Sequence, residues 1–424
     1  MKVCVFEDSK VSNLSPINNL RHTSEIICGA FTILEKINNF LPNKLKVSAL
    51  HCRQNLSSYL KEKFPDLEIN EFEKEDYLFL NSRVLFSKDA LKRIISLTNT
   101  DKNTAMLSGD NVIAFHITYN YKPGLIKEIQ NNLISESLVK NADLYTYPLS
   151  EEDNVNIINY PWDFINYHDK EIRNDLSFLL KKKKQTSGKF KRVDFIKKKK
   201  IIVSRKSKIS PKVVLNADKG IIFISDGTII EPFTYIEGPV FIGKNSTIKS
   251  GTKIYGPVRI GSNCKISGEI TSSIIHSYVN KQHLGFLGHS YICDWVNLGA
   301  GTITSNLKNN YSNITVKLDK VDIDTNSIFL GSIIGDHTKT GINTMLNTGS
   351  IIGISSNLYG DGFHNKLIKS FSWMDAGSKQ ESIYDIEKAL NTARLSMARR
   401  NEEMNESYEK LFKETFYNRD KNSI

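Results

Sequence analysis

An aliphatic residue returns at every sixth position through much of the second half of the chain, and this period limits the fold more tightly than any other feature. Val203, Ile209, Leu215 and Ile221 are six apart; after a shift of three, Ile224, Ile230, Ile236, Ile242, Ile248, Ile254, Ile260 and Ile266 follow without a miss. The phase returns with Phe286, Ile292 and Leu298, then with Ile328, Ile334, Leu346, Ile352 and Leu358, with Thr340 interrupting. Neither a helix, at about 3.6 residues per turn, nor an alternating strand, at about 2, produces this spacing. A hexapeptide repeat is the signature of a β-solenoid: each unit forms one flat face with one aliphatic side chain inward, and three faces close a triangular coil. Small, turn-forming residues follow the inward position, as in IGKNST at 242–247 and IGSNCK at 260–265. The phase is lost at about 267–285 and 305–327, where interruptions map to loops that a rigid scaffold can use for binding. Prisms of this kind associate through their sides, so an oligomer is expected.

Residues 1–180 read as α/β. VCVF at 3–6 and KVSALH at 46–51 are short strands, Ile33, Ile37 and Phe40 form a helical stripe, a second helix runs through Tyr59 and Phe64, and MLSGDNVIAFHIT at 106–118 is a hairpin turning at Gly109-Asp110. Such alternation implies a largely parallel sheet whose ligands bind beyond the strands' carboxyl ends. Residues 181–200 contain ten Lys, one Arg and one Asp, almost all of the chain's net +11, and read as a basic linker. Because the rest of the chain is nearly neutral, nucleic acid is not an expected partner. The solenoid is expected over 201–365 and one packing helix over 378–417, with Ile383, Ile386, Ala389, Leu390, Ala393 and Met397 as its apolar stripe. Five scattered cysteines without CxxC spacing suggest neither a disulfide framework nor a zinc site. Charges at Glu7, Asp8 and Lys10, and the lack of a long apolar run, make a cytoplasmic protein without a membrane span the expectation.

The solenoid resembles the left-handed β-helix acyltransferases, most closely in HLGFLGHSYICDWVNLGAGTITSNL at 283–307. This stretch is similar to the acetyltransferase signature of the bifunctional enzymes that make UDP-N-acetylglucosamine, with Phe286 where that family has tyrosine. SNLKNNYS at 305–312, GDHTKTGINTMLNTG at 335–349 and FSWMD at 371–375 resemble a divergent fused variant whose first half is a sugar nucleotidyltransferase. FEDSKVSNLSPINNLRHTSEIICGAFTILEKI at 6–37, FLNSRVL at 79–85 and YPWDFIN at 160–166 resemble that half. The implied architecture is a Rossmann-like α/β nucleotidyltransferase domain, then a left-handed parallel β-helix, then a C-terminal helix. The implied assembly is a homotrimer.

The resemblance implies acetyl-CoA-dependent N-acetylation of glucosamine 1-phosphate and uridylyl transfer to N-acetylglucosamine 1-phosphate, with Mg²⁺ for the second reaction. N-acetylation needs a base for the ammonium proton, donors for the thioester oxyanion and groups for the sugar phosphate. Imidazole suits proton acceptance near neutrality, which makes His283 the candidate base, although a loop histidine taken alone is more often an ordinary surface residue. Asn297 and Phe286 are substrate candidates; for Asn297 the plainer alternative is an asparagine ladder within the solenoid. Lys253 is a candidate phosphate contact, or a solvated lysine. Gly299, Ala300 and Gly301 are candidates for the acyl carrier or the oxyanion, or simply a tight corner, and Ser332 for coenzyme A. His289 and His337 have no assigned role. For nucleotidyl transfer, Arg21 and Lys36 are the candidate cations, and Asn81, Asp163 and Asn166 the candidate metal positions; Trp162 is as readily core.

Several positions depart from the family pattern. Asn81 stands where an aspartate is expected, Ile27 replaces an arginine, Ser312 a lysine flanked by Lys308 and Lys317, and the glycine-rich phosphate loop is absent. Two other readings therefore stand beside the bifunctional one. One is a sugar-1-phosphate nucleotidyltransferase, using UTP or dTTP, whose β-helix only oligomerises or regulates; the other is a non-catalytic scaffold.

Overall fold

The computed structural model describes residues 1–98, 103–148, 155–182, 190–318 and 321–419. The first third is an α/β domain around a seven-stranded sheet. In spatial order its strands are Tyr145–Pro148, Thr104–Ser108, Asn111–Ile117, Tyr77–Asn81, Lys2–Phe6, Val47–His51 and Glu68–Ile69. Lys2–Phe6 is parallel to both its neighbours, whereas Asn111–Ile117 runs antiparallel to both of its own as the second arm of the 104–117 hairpin. Helix Ile33–Phe40 starts at a capping box in which Thr32 and Glu35 satisfy each other's backbone amides.

From Asp194 onward the chain winds into a parallel β-helix with three faces. The first face stacks six strands from Asp194–Ile196 to Phe286–Gly288, the second nine from Ile201–Val203 to Leu367–Ile368, and the third five from Lys208–Ile209 to Asn280–Lys281. The third face continues through single bridges Asn280–Asn297 and Asn297–Lys339 into four further strands. Its dry interior is the expected ladder, with Ile230, Ile236, Ile242, Ile248, Ile254, Ile260 and Ile266 buried.

The structure corrects the ladder where the phase was lost. The coil over 267–285 is shortened rather than looped out, with Ile270, Ile275 and Lys281 in succession inside. Leu287, not Phe286, points inward, and Ile222 replaces the half-buried Ile221. Ile328 is exposed, because after Ser305, whose amide still bonds to Leu346, the described residues leave the coil and pair strand Thr315–Leu318 antiparallel with Val321–Asp324.

Both flanking segments differ from expectation. The basic stretch is not all linker: helix Asp163–Lys182 runs into it, and Asp194–Ile196 already pairs with Val214–Asn216 as the first rung. Phe190, Val193 and Phe195 supply enough apolar surface to pack on the end of the core. The C-terminal segment is a strand, Glu381–Ile383, and two helices, Ile386–Ala398 and Glu406–Tyr417. The break falls where Asn401 takes a left-handed conformation and Asn405 caps the second helix by accepting from the Tyr408 amide at 2.9 Å. Ala389, Leu390, Ala393 and Met397 are buried as expected, whereas Ile383 lies on the exposed strand.

The α/β domain docks against the second face. Ile172 and Leu176 of helix Asp163–Lys182 pack on Ile202 and Phe223, and Tyr291 accepts from the Ile27 amide at 3.1 Å while packing beside Phe164. Arg21 reaches across to Asp294, at 2.8 Å, and to Asp336. The last helix packs into the same junction, with Phe412 and Phe416 edge-on to Phe371 and Tyr408 against Tyr59.

Candidate functional site

The solenoid candidates gather along the edge where the third face turns into the first. Successive corners there are 282–285 and 299–302, tied by the Gly301 amide donating to the Leu284 carbonyl at 3.1 Å. Gly285 has φ +136, and a Cβ on it would meet the Thr302 carbonyl oxygen at 2.1 Å, so only glycine lets the two corners approach. His283 is exposed at this edge. Phe286 and Lys253 lie on the first face in one rung ladder, with Glu269 between them. Asn297 lies on the third face and accepts from the Asn280 side chain, which realises the asparagine ladder. Asn297 also lines a cavity. The edge thus sets His283 between two groups that one chain holds on adjoining faces.

Lys281 organises this edge, and the periodicity could not reveal it because a lysine occupies an inward, normally aliphatic place. Its ammonium is buried and donates to the carbonyls of Ser267, His283 and Gly285 at 3.0, 3.2 and 2.9 Å, pinning the backbone that carries His283. Burial without a carboxylate partner pulls its pKa down to about 8.

Other candidates have different surroundings. Gly299 and Gly301 are closely backed by Gly341 and Asn343 of the next coil, so their small size serves coil-to-coil contact at this corner; the Ala300 carbonyl accepts from the Asn343 amide at 2.7 Å. Ser332 is fully buried on the second face and accessible to no coenzyme, which corrects that expectation. His337 is buried beneath Trp295 and bonded to the Tyr408 hydroxyl at 2.9 Å, while His289 stacks on Phe329 at a different edge. Burial lowers the His289 pKa to about 4 and that of His337 to about 3. Lys308 donates to the Asn313 carbonyl at 2.6 Å, and Lys317 lies on the exposed hairpin.

In the α/β domain the charged groups at the strand ends neutralise one another. Glu7 is buried and accepts from the Thr23 amide and hydroxyl at 2.9 and 2.8 Å and from Arg53 at 3.1 Å. Burial opposes its ionisation, but Arg53, His22 and these amides outweigh it and hold the pKa at about 2. Arg83 grips Asp8 bidentately at 2.8 and 2.6 Å. The two expected substrate cations are likewise committed. Arg21 serves the docking interface, and Lys36 is buried between Glu171 and Asp175 at 2.7 Å each. A phosphate would have to displace these carboxylates, so the structure corrects both assignments.

The metal expectation fails on its donors. Asn81 gives its amide to Asp8 and Val112 and accepts from the Arg83 amide, Asp163 at the start of its helix accepts from the amides of the preceding Asn159 and Tyr160, and Asn166 is exposed. These three residues do not fit a Mg²⁺ ion, which wants several open oxygen ligands. Among the described residues no group of three His, Cys, Asp or Glu is placed to hold a metal. All five cysteines are buried and unpaired, and no described helix is long and apolar enough to cross a membrane.

Residues 3–184 match the family model described as sugar nucleotidyl transferase. A bifunctional sugar-1-phosphate nucleotidylyltransferase/acetyltransferase of Sulfurisphaera tokodaii is 34% identical over 93 residues, 22% of this chain and 23% of that protein. The bifunctional protein GlmU of Methanococcus vannielii is 36% identical over 90 residues, 21% of this chain and 22% of its own length. The matched stretches are therefore under a quarter of these relatives' length. A solved Bacillus cereus structure described provisionally as an acetyltransferase overlaps 54% of this chain and 97% of its own at 14% identity, with a TM-score of 0.28.

Proposed function

From the match of residues 3–184 to the sugar nucleotidyl transferase model and the partial likeness of the chain to bifunctional nucleotidylyltransferase/acetyltransferases, we propose that the chain is a sugar-phosphate transferase whose acyl-transfer site is the His283 edge. The reaction proposed is N-acetylation of glucosamine 1-phosphate by acetyl-CoA, with uridylyl transfer to the product assigned to the first domain. The observation that carries the reading is an exposed imidazole on a corner locked by Lys281, Gly285 and the Gly301 amide, with Phe286 and Asn297 on its flanks. His283 takes the proton from the substrate ammonium. The freed amine attacks the thioester carbonyl, the C–N bond forms as the C–S bond breaks, and the thiolate leaves to be protonated. Of the backbone amides at 299–301, Gly299 donates to the Thr340 hydroxyl at 3.0 Å and Gly301 to Leu284, so the Ala300 amide is the proposed donor to the oxyanion.

Because one chain sets these groups on adjoining faces, the cleft is proposed to be completed by a neighbouring copy in a homotrimer. Exposed apolar side chains line the same edge and support this: Phe233, Leu284, Ile303 and Ile342, of which Leu284 is 76% and Ile342 74% exposed.

A second reading is favoured for the first domain by its internally paired charges. Under it, the domain keeps the nucleotidyltransferase fold and serves chiefly to cover the second face. The deciding experiment is thiol release from acetyl-CoA with glucosamine 1-phosphate, comparing wild type with His283→Ala. Turnover abolished by the variant supports the edge as the site. Equal turnover in both proteins, or none in wild type across a panel of amino-sugar phosphates, refutes it.

A further inference from the structure

On the third face, four consecutive rungs carry Lys265, Asn280, Asn297 and Lys339 in register, each about 4.8 Å from the next. Each residue immediately precedes an inward position, so all four side chains point outward. Over them lies the end of helix Ile386–Ala398 with Arg399 and Arg400, and the cavity between has a volume of about 270 Å³. Its lining brings together four cationic groups and the amides of Asn280, Gln282 and Asn297, and includes no carboxylate. Among the described residues, none of the four cations has an ion-pair partner within reach. Glu402 and Glu403 line the neighbouring cavity, and the stacked rings of Tyr278 and Trp295, 4.0 Å apart, belong to both.

Lys339 is the central group. Its ammonium donates to the His337 carbonyl at 3.1 Å, the residue lines the cavity, and burial lowers its pKa to about 8. Elsewhere this chain either gives a buried cation a carboxylate, as for Lys36, Arg21 and Arg83, or spends it on three carbonyls, as for Lys281, whereas Lys339 has one carbonyl. Here the compensating charge is missing while the donors converge. The arrangement is that of an anion site, with amides for orientation and an aromatic wall beside them.

We propose that the cavity bounded by Lys265, Lys339, Arg399 and Arg400 binds the phosphate monoester of a ligand. This rests on the acyl-transfer reading and deepens it, since Asn297 lines the cavity as well as flanking the His283 edge. Two sources carry that group, the 3′-phosphate of coenzyme A and an amino-sugar 1-phosphate.

Calorimetric titration of the whole chain tests the proposal without requiring turnover, so failure of acetylation would leave the result readable. The probes are coenzyme A against dephospho-coenzyme A, and glucosamine 1-phosphate against glucosamine. At least one phosphorylated member should bind ten-fold or more tightly than its partner, and Lys339→Met should remove that difference. Arg399→Gln with Arg400→Gln, on the exposed helix end, should weaken the same member at least five-fold and needs no change in the solenoid. A difference confined to the first pair assigns the cavity to the coenzyme, and one confined to the second assigns it to the sugar phosphate. No discrimination in either pair, or discrimination untouched by both variants, overturns the proposal.

Discussion

Replacing Arg21 by methionine tests the account of how the two domains are held together. Arg21 leaves the α/β domain, donates to the Ile17 carbonyl at 2.8 Å, and meets Asp294 and the fully buried Asp336 on the solenoid. Methionine keeps much of the stem's packing but leaves two carboxylates, joined through the Asp294 amide on Asp336 at 3.0 Å, without their cation. Breaking a buried pair in this way costs about 3–5 kcal/mol, mostly through the stranded charge. The loss should appear as a lower urea midpoint in tryptophan fluorescence, since Trp295 lies beside the interface.

The double variant Arg21→Met with Asp336→Asn should recover about half of that loss, because the remaining Asp294 is partly exposed and keeps His276 at 3.6 Å. Acidity supplies an independent check. Burial, the largest influence, pushes the Asp336 carboxyl above its ordinary range, with Arg21 pulling the other way. Removing Arg21 raises it further, so ionisation of Asp336 costs stability above its folded pKa and the cost fades as pH drops below it. The deficit of Arg21→Met against wild type should shrink between pH 7 and pH 5. A loss below about 1 kcal/mol at pH 7, or a deficit that grows on acidification, refutes the pairing as the interface's anchor.

Two further outcomes follow from burial and charge. Leu287→Ala should cost about 2–5 kcal/mol in urea unfolding whereas Phe286→Ala costs about 1 kcal/mol or less, because only the former opens a cavity in the solenoid interior; equal losses would restore Phe286 to the ladder. Glu7, held at about 2 against an ordinary 4.5, contributes about 3 kcal/mol that is present above pH 4.5 and lost as pH falls toward 2. Glu7→Gln should therefore be less stable than wild type at pH 6 and converge with it on acidification, as read from urea midpoints across that range.

The six-residue period was sufficient to specify the prism, because each rung repeats one local demand: an aliphatic group inward, then a corner. The hairpin at Gly109-Asp110 and the stripe of Ile33 and Ile37 were legible for the same reason, being short-range patterns. The phase breaks were harder. Over 267–285 the coil shortens and then spends an inward place on Lys281, whose three carbonyl acceptors a hydropathy pattern cannot show. His283 and Asn297 were legible as a motif and do lie beside one edge, but the adjoining faces that carry them are a property of the winding.

What only the tertiary structure decided is the state of the charges. Arg21 meets Asp336 across 315 positions and Lys36 meets Asp175 across 139, so two lysine or arginine side chains that read as substrate cations are spent on internal pairs. Lys265, Lys339, Arg399 and Arg400, unremarkable along the chain, converge on one cavity without a counter-charge. Local sequence sets a residue's face and direction through backbone periodicity, whereas Coulomb energy and desolvation depend on which distant groups the finished fold brings within a few ångströms.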